Sequence, residues 1–314
     1  MPILRPPQLE AWGGGTEELQ LPTTSSKKIA FQGEPGANSH IACKEAFPQH
    51  EPLACRVFED AFAAVAAGEA QLAMIPIDNS VAGRVADIHH LMPHSNLYIV
   101  GEHFLRVRHQ LLGLPGANLG NLKTVRSHIH ALGQCRKIIR ELKLQSIVAA
   151  DTAGAAREIA AAKDPSAAAI ATSLAGAIYG LETLQANIED DDRNTTRFIV
   201  LSAAPDAAAL EDAPVITSFI FRVRNVPAAL YKALGGFATN GVNMIKLESY
   251  QIEGQFAATQ FYADIEGHPE ERPVRLALEE LQFFTNHMRV LGVYKAHPYR
   301  AEILRRQQAE SQFS

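Results

Sequence analysis

The chain has 314 residues, and 29 Lys and Arg against 34 Asp and Glu leave a formal net charge of −5. That length suits two domains with packed cores, and the acidic balance excludes a globally basic surface for nucleic acid. Three widely spaced cysteines, Cys43, Cys55 and Cys135, exclude a disulfide framework or a zinc knuckle and read as buried reduced thiols.

Residues 1–26 are rich in Pro, Gly, Thr and Glu and lack a long apolar run. They read as a disordered tail, neither a signal peptide nor a membrane span, on a cytoplasmic protein. From Ile29 onward short apolar strands alternate with helical stretches. Strands are expected at 29–31, 55–58, 72–77, 98–100, 110–113, 124–125, 147–149 and 169–171. Helices are expected at 38–47, 60–67, 84–92, 129–142, 152–162 and 174–179. This alternation predicts an α/β architecture with helices on both faces of the sheet. An Ala, Pro and acid-rich linker follows at 205–214.

Beyond the linker the expected order is strand 217–223, helix 228–238, strand 244–251, strand 256–265, helix 274–284 and strand 290–294. That is βαββαβ, the ferredoxin-like unit. Such a sheet has helices on one face only and edges left to pair, which favours dimerisation. Pro227 fits the first helical position. The domains are therefore 27–204 and 215–300, with a charged, helical tail at 301–314.

The stretch Asn194-Thr195-Thr196-Arg197-Phe198 sets two hydroxyls and a guanidinium at the mouth of an apolar strand. A hydroxyl can hydrogen-bond a reacting oxygen, and an arginine fork can hold a carboxylate. A strand entry with a solvated arginine is the plain alternative. Asn79 and Ser80 sit where a strand ends and a helix is expected, as ligand-facing crevice residues or as helix caps. Asn38 and Ser39 open the first helix, either as caps or as donors to a carboxylate. Ser127 is either a cap or a site hydroxyl, and Gln134, seven residues on, falls on the same helical face. Twelve histidines include the pair His89-His90, which point to different helix faces, and no Cys/His spacing matches a metal site.

Four blocks occur in order: 33–40 (Gly-Glu-Pro-Gly-Ala-Asn-Ser-His), 76–83 (Pro-Ile-Asp-Asn-Ser-Val-Ala-Gly), Ser127-His128 with Gln134-Cys135, and Thr195-Thr196-Arg197-Phe198. Together they resemble the prephenate dehydratase family, and 225–230 with Glu248-Ser249 resembles its regulatory ACT domain. The resemblance covers roughly residues 28 to 300. It implies a two-lobed catalytic domain like a periplasmic binding protein, with two crossing segments, plus the ferredoxin-like ACT domain. It also implies decarboxylative dehydration of prephenate to phenylpyruvate on the route to phenylalanine, without metal or cofactor.

By that resemblance Thr196 is the catalytic hydroxyl, with Asn79, Ser127 and Gln134 beside it. Arg197, Phe198, Thr195, Asn38, Ser39, Ser80 and Thr152 are expected around the substrate. Asp78 stands where the family usually has Glu, and Ala37-Asn38 departs from its Thr-Phe. Asn225, Val226, Ala228, Leu230, Asn243, Glu248 and Ser249 are expected to hold phenylalanine between paired ACT domains. Here Tyr250-Gln251 replaces the usual Arg-Pro, and Ala228 a Gly. Expected partners are prephenate, phenylalanine and a second copy, as homodimer or homotetramer, with neither nucleic acid nor membrane. The rivals are arogenate dehydratase and a non-catalytic amino-acid sensor.

Overall fold

The computed structural model describes residues 27–212, 214–224, 226–251 and 258–311. The expectations for the tail at 1–26, for Asn225, for the strand start at 256 and for the last three residues lie outside these.

The first lobe contains β1 (Lys28–Gln32), α1 (Asn38–Ala46), β2 (Glu51–Cys55), α2 (Phe58–Ala66), β3 (Leu72–Asn79), β4 (Gly83–Arg84), α3 (Ala86–Leu91) and β5 (Tyr98–Arg106). The second contains β6 (Gln110–Gly113), β7 (Thr124–His128), α4 (Ile129–Gln134), α5 (Arg136–Glu141), β8 (Gln145–Ala149), α6 (Thr152–Ala162), β9 (Ala167–Ala171), α7 (Ser173–Tyr179) and β10 (Glu182–Gln185). The chain then returns as β11 (Thr195–Ser202) to complete the first sheet, ordered β2-β1-β3-β11-β5 with β4 on β3. The second sheet runs β10-β6-β9-β7-β8. Two segments therefore cross between the lobes, 107–109 and 186–194.

Local chemistry explains where these elements differ from expectation. The second strand ends at Cys55 instead of starting there, because Asp60 reaches back to the Val57 amide and starts α2 at Phe58. Pro52 is tolerated because β2 is an edge strand. The helix expected at 129–142 breaks at Cys135, whose backbone is non-helical (φ −126°, ψ 34°). No helix starts at Ser80; β3 turns back through a hairpin into β4.

The C-terminal unit follows the expected order: β12 (Val215–Val223), α8 (Ala229–Thr239), β13 (Met244–Gln251), β14 (Ala258–Glu266), α9 (Arg272–Phe284) and β15 (Thr285–Lys295), then α10 (Tyr299–Ser311). Its sheet is ordered β13-β14-β12-β15. Pro227 is not the first residue of α8; it precedes the N-cap, Ala228. Phe219, Phe221, Phe261 and Ile265 pack under α8 and α9 with Phe237 and Leu281. Ile216, Ile220, Tyr262 and Tyr294 lie in one core with Ile75, Ile99, Ile199 and Leu201 of the first lobe. The face left bare by the helices is thus covered by the first lobe of the same chain. At Gly292 a Cβ would overlap the Ile99 carbonyl, so only glycine allows this approach of β15 to β5. Among the described residues no helix is long and apolar enough to cross a membrane.

Candidate active site

Strand alternation sorts the central motif into two faces. β11 pairs with β3 so that Thr196 lies opposite Asn79 and Arg197 opposite Asp78. Asn79 Nδ2 donates to Thr196 Oγ1 at 2.9 Å and to Asn194 Oδ1 at 2.8 Å. Asn79 Oδ1 accepts the Val81 and Ala82 amides at 3.0 and 2.7 Å. Both ends of this amide are therefore committed, and the side chain is fixed. Asn194 Nδ2 donates in turn to Gln134 Oε1 at 2.8 Å, which also meets His109 Nε2 at 2.9 Å. The relay spans the first lobe (Asn79, Thr196), the second lobe (Gln134) and both crossing segments (His109, Asn194). Gln134, Val81 and Ala82 also line a cavity of about 560 Å³.

Thr196 is half-buried, while Asn194 is 2% and His109 3% exposed. Burial, only partly offset by Gln134 and the Glu189 charge, pushes the His109 ring down from its ordinary value, favouring a neutral imidazole. Burial likewise pushes the Cys43 thiol up to about 12 and raises Cys135 further, so neither is a thiolate nucleophile. Among the described residues no group of His, Cys, Asp and Glu is arranged to hold a metal.

The structure brings Thr196, Asn79 and Gln134 together, and places other expected site residues elsewhere. Arg197 is 6% exposed and faces the C-terminal sheet. Its guanidinium bonds Glu102 at 2.8 Å, Asp264 at 2.6 Å and the Tyr294 hydroxyl at 2.9 Å. It is thus a domain-junction residue and not a free fork for a substrate carboxylate. Phe198 is buried under α1 with Phe31 and Val200. Thr195 turns to the Arg197 face and meets the Tyr299 hydroxyl at 3.2 Å. Ser80 Oγ donates to the Arg193 carbonyl and accepts the Thr195 amide, both at 2.9 Å, which pins the hairpin to β11.

Ser127 is fully buried and donates its proton to the Ile170 carbonyl at 2.6 Å. The cap of α4 is His128, so Ser127 is neither a cap nor a residue two helical turns before Gln134. Asn38 and Ser39 do begin α1, but its N-cap is Ala37 and makes no side-chain cap bond. Thr152 is the first residue of α6 behind the capping Asp151. The loop before α1 bridges the lobes: Glu34 takes a two-pronged contact from Arg157 at 2.7 and 2.9 Å, and Thr172 donates to the Gly36 carbonyl.

The expected effector residues divide as well. Val226 is exposed, Ala228 adopts a left-handed conformation (φ 61°, ψ 13°), and Leu230 packs against the α8–α9 core. Asn243 bonds Glu266 at 2.9 Å. Glu248 and Ser249 lie within β13 and face Arg84: the Ser249 carbonyl accepts from it at 3.1 Å. Lys246 on the same strand bonds Asp78 at 2.6 Å. Asp78 and Lys246, with Arg197 and Arg300, line a cavity of about 300 Å³ at the domain junction.

Sequence reasoning missed His109 and passed over Asn194. Asn194 heads the most informative stretch of the chain. Arg108-His109-Gln110 is a polar triplet opening a fully buried strand, which was the available signal for His109.

The chain is similar to known proteins over most of its length. A family model described as "Prephenate dehydratase" matches residues 29–206. A bifunctional N-acyl-homoserine lactone acylase/prephenate dehydratase of Komagataeibacter europaeus is 50% identical over 272 residues, 87% of this chain and 97% of that protein. The chloroplastic arogenate dehydratase/prephenate dehydratase 1 of Arabidopsis thaliana is 38% identical, over 86% of this chain and 72% of its own. The crystal structure of prephenate dehydratase from Arthrobacter aurescens in complex with L-Phe superposes with a TM-score of 0.79 at 27% identity, covering 91% of this chain and 99% of that one. The likeness embraces both lobes and the C-terminal unit, and the chain belongs to the prephenate dehydratase family, a family of hydro-lyases.

Proposed function

We propose that the protein converts prephenate to phenylpyruvate and is regulated by phenylalanine through its C-terminal unit, an ACT domain. The observation that carries the catalytic half is the bond from Asn79 Nδ2 to Thr196 Oγ1. Because the amide donates, the threonine oxygen is the acceptor there, and its own proton is free to point at the substrate. In the reaction the bond from the ring to its carboxylate breaks, the carboxylate leaves as carbon dioxide and the bonding pair stays with the ring. The electron pair moves through the ring, which becomes aromatic, and expels the ring hydroxyl, which takes up one proton and departs as water. Thr196 hydrogen-bonds the departing oxygen, where negative charge develops. Gln134 offers its amide from the opposite lobe. No step requires a cofactor.

The regulatory half is supported by the ion pairs joining β13 and β14 to β3, β4 and β11, and by the L-Phe bound to the Arthrobacter aurescens relative. Phenylalanine binds at paired ACT domains of a homodimer or homotetramer, near Val226, Ala228, Leu230, Asn243, Glu248 and Ser249, and lowers turnover by shifting the two lobes. The names of the plant relatives point equally to arogenate, the amine counterpart of prephenate. The deciding experiment is paired turnover of prephenate and arogenate by the purified protein, with chelator and with or without phenylalanine. Phenylpyruvate as the dominant product supports the proposal; turnover of neither substrate overturns it.

The half-identical relative is also named for a second activity, N-acyl-homoserine lactone acylase. Side-chain acyl transfer needs a base beside the nucleophile. Thr196 instead has the Asn79 amide as its partner. Release of homoserine lactone from an acylated substrate tests that reading separately.

A further inference from the structure

We infer that His109, on the first crossing segment, is a positioning residue for the dehydratase site: through Gln134 and Asn194 its Nε2–H holds the Asn79 amide on Thr196. The inference rests on the proposed role of Thr196. It follows from the direction in which each hydrogen bond must run. The Val81 and Ala82 amides can only donate, so the Asn79 group facing them is its oxygen. Asn79 Nδ2 then faces Thr196 and Asn194, which makes the Asn194 group opposite it Oδ1. Asn194 therefore turns Nδ2 to Gln134, whose facing atom is Oε1. That oxygen sits 2.9 Å from His109 Nε2, so the ring nitrogen carries the proton.

The opposite tautomer would set two lone pairs against each other at that distance. A charged ring would place a second N–H at Nδ1, a buried atom without a partner among the described residues. One protonation state of His109 thus agrees with one orientation of every amide down to the catalytic hydroxyl. Gln134 Oε1 takes both donors, and the residue also lines the cavity of about 560 Å³. His109 and Asn194 stand on the two segments that cross between the lobes. The orientation of Thr196 is therefore linked to the relative position of the lobes. His109 itself is held by its backbone, which donates to Glu189 at 3.0 Å and accepts the Ile188 amide at 2.9 Å.

The test compares His109→Gln, whose side-chain amide can still donate near Nε2, with His109→Leu, which cannot. His109→Leu is expected to lower kcat about 10-fold, as for the loss of one net hydrogen bond, with a smaller change in KM. His109→Gln is expected to stay within about 3-fold of wild type by the same reasoning. The double variant His109→Leu with Asn194→Leu is expected to lose no more than the worse single variant, since both interrupt one relay. Thermal unfolding of each variant normalises turnover to folded protein. Equal damage from both His109 variants, or losses that multiply in the double variant, would overturn the inference. A second arm is independent of activity: histidine-labelled nitrogen resonances of wild type, assigned with His109→Gln, should show a neutral Nε2–H ring near neutral pH. An Nδ1–H or charged ring overturns the relay. Failure of wild type to turn over prephenate would instead strike the proposed function, and the resonance arm would still decide the relay.

Discussion

Arg197 and Asp264 meet at 2.6 Å, and this contact ties the strand that carries Thr196 to the C-terminal sheet. Neighbours on a strand point to opposite faces. The Thr196 hydroxyl meets Asn79 while the next residue is anchored in the C-terminal unit. Ser218 donates to the other Asp264 oxygen, and Tyr294 bonds both Ser218 and Arg197. Burial works against the Arg197 charge, and the facing Asp264 and Glu102 outweigh it, so the guanidinium stays ionised.

Replacing Arg197 with Met should therefore be costly, at about 3–5 kcal/mol, because Asp264 is left buried without its counter-charge. Chemical unfolding measures this. Loss of less than about 1 kcal/mol would mean that the carboxylate finds other compensation.

The same pair sets an acid limit. Burial alone would raise the Asp264 carboxyl, but the Arg197 charge and the Ser218 and Tyr262 hydroxyls outweigh it and hold it below the usual 3.8. A depressed carboxyl contributes stability above its unfolded pKa and loses it as pH falls through the folded value. Wild type should lose stability steeply below about pH 4, and Asp264→Asn should show a shallower slope in that window. Parallel slopes for the two proteins would refute the assignment.

Thr196→Val removes the hydroxyl and keeps the shape of the side chain. Turnover should fall about 100-fold or more with little change in unfolding midpoint. Near-normal kcat would take Thr196 out of the mechanism.

Asn79→Asp is nearly isosteric but replaces a donor with an acceptor. The Thr196 proton would then be drawn to the carboxylate and away from the departing oxygen. A fall in kcat of about 100-fold, larger than the change in KM, is expected from steady-state kinetics.

Ala228 occupies a left-handed position, φ 61°, which an L side chain strains. Ala228→Gly should stabilise the protein by up to about 1 kcal/mol, since the Cβ strain is relieved and only part of the gain is lost to a more flexible unfolded chain. Denaturant midpoints report it directly.

Much of the fold was legible because its local signals were strong. The helix at 152–162 and the strand at 244–251 have the bounds read from the sequence. The αβ alternation and the βαββαβ order needed only periodicity and turn residues. The sites of Arg197 and Phe198 were less legible. Alternation already forbids Thr196 and Arg197 from sharing a face, but what covers the second face is a tertiary fact. Ser127, a cap or a site hydroxyl by sequence, lies inside a strand that runs on to His128, longer than its apolar residues suggest. His109 had no recognisable motif, since its partners Gln134 and Asn194 come from distant parts of the chain.

The shared core beneath the C-terminal sheet bears on how such chains can be recombined. A module that lends its bare sheet face to its neighbour cannot be exchanged as a cassette. Cutting the chain ahead of Val215 would strip cover from Ile199 and Leu201, and grafting a foreign module would require a glycine opposite Ile99 and an acid opposite Arg197. Both halves should melt in one transition, and fusions that ignore this seam should be insoluble.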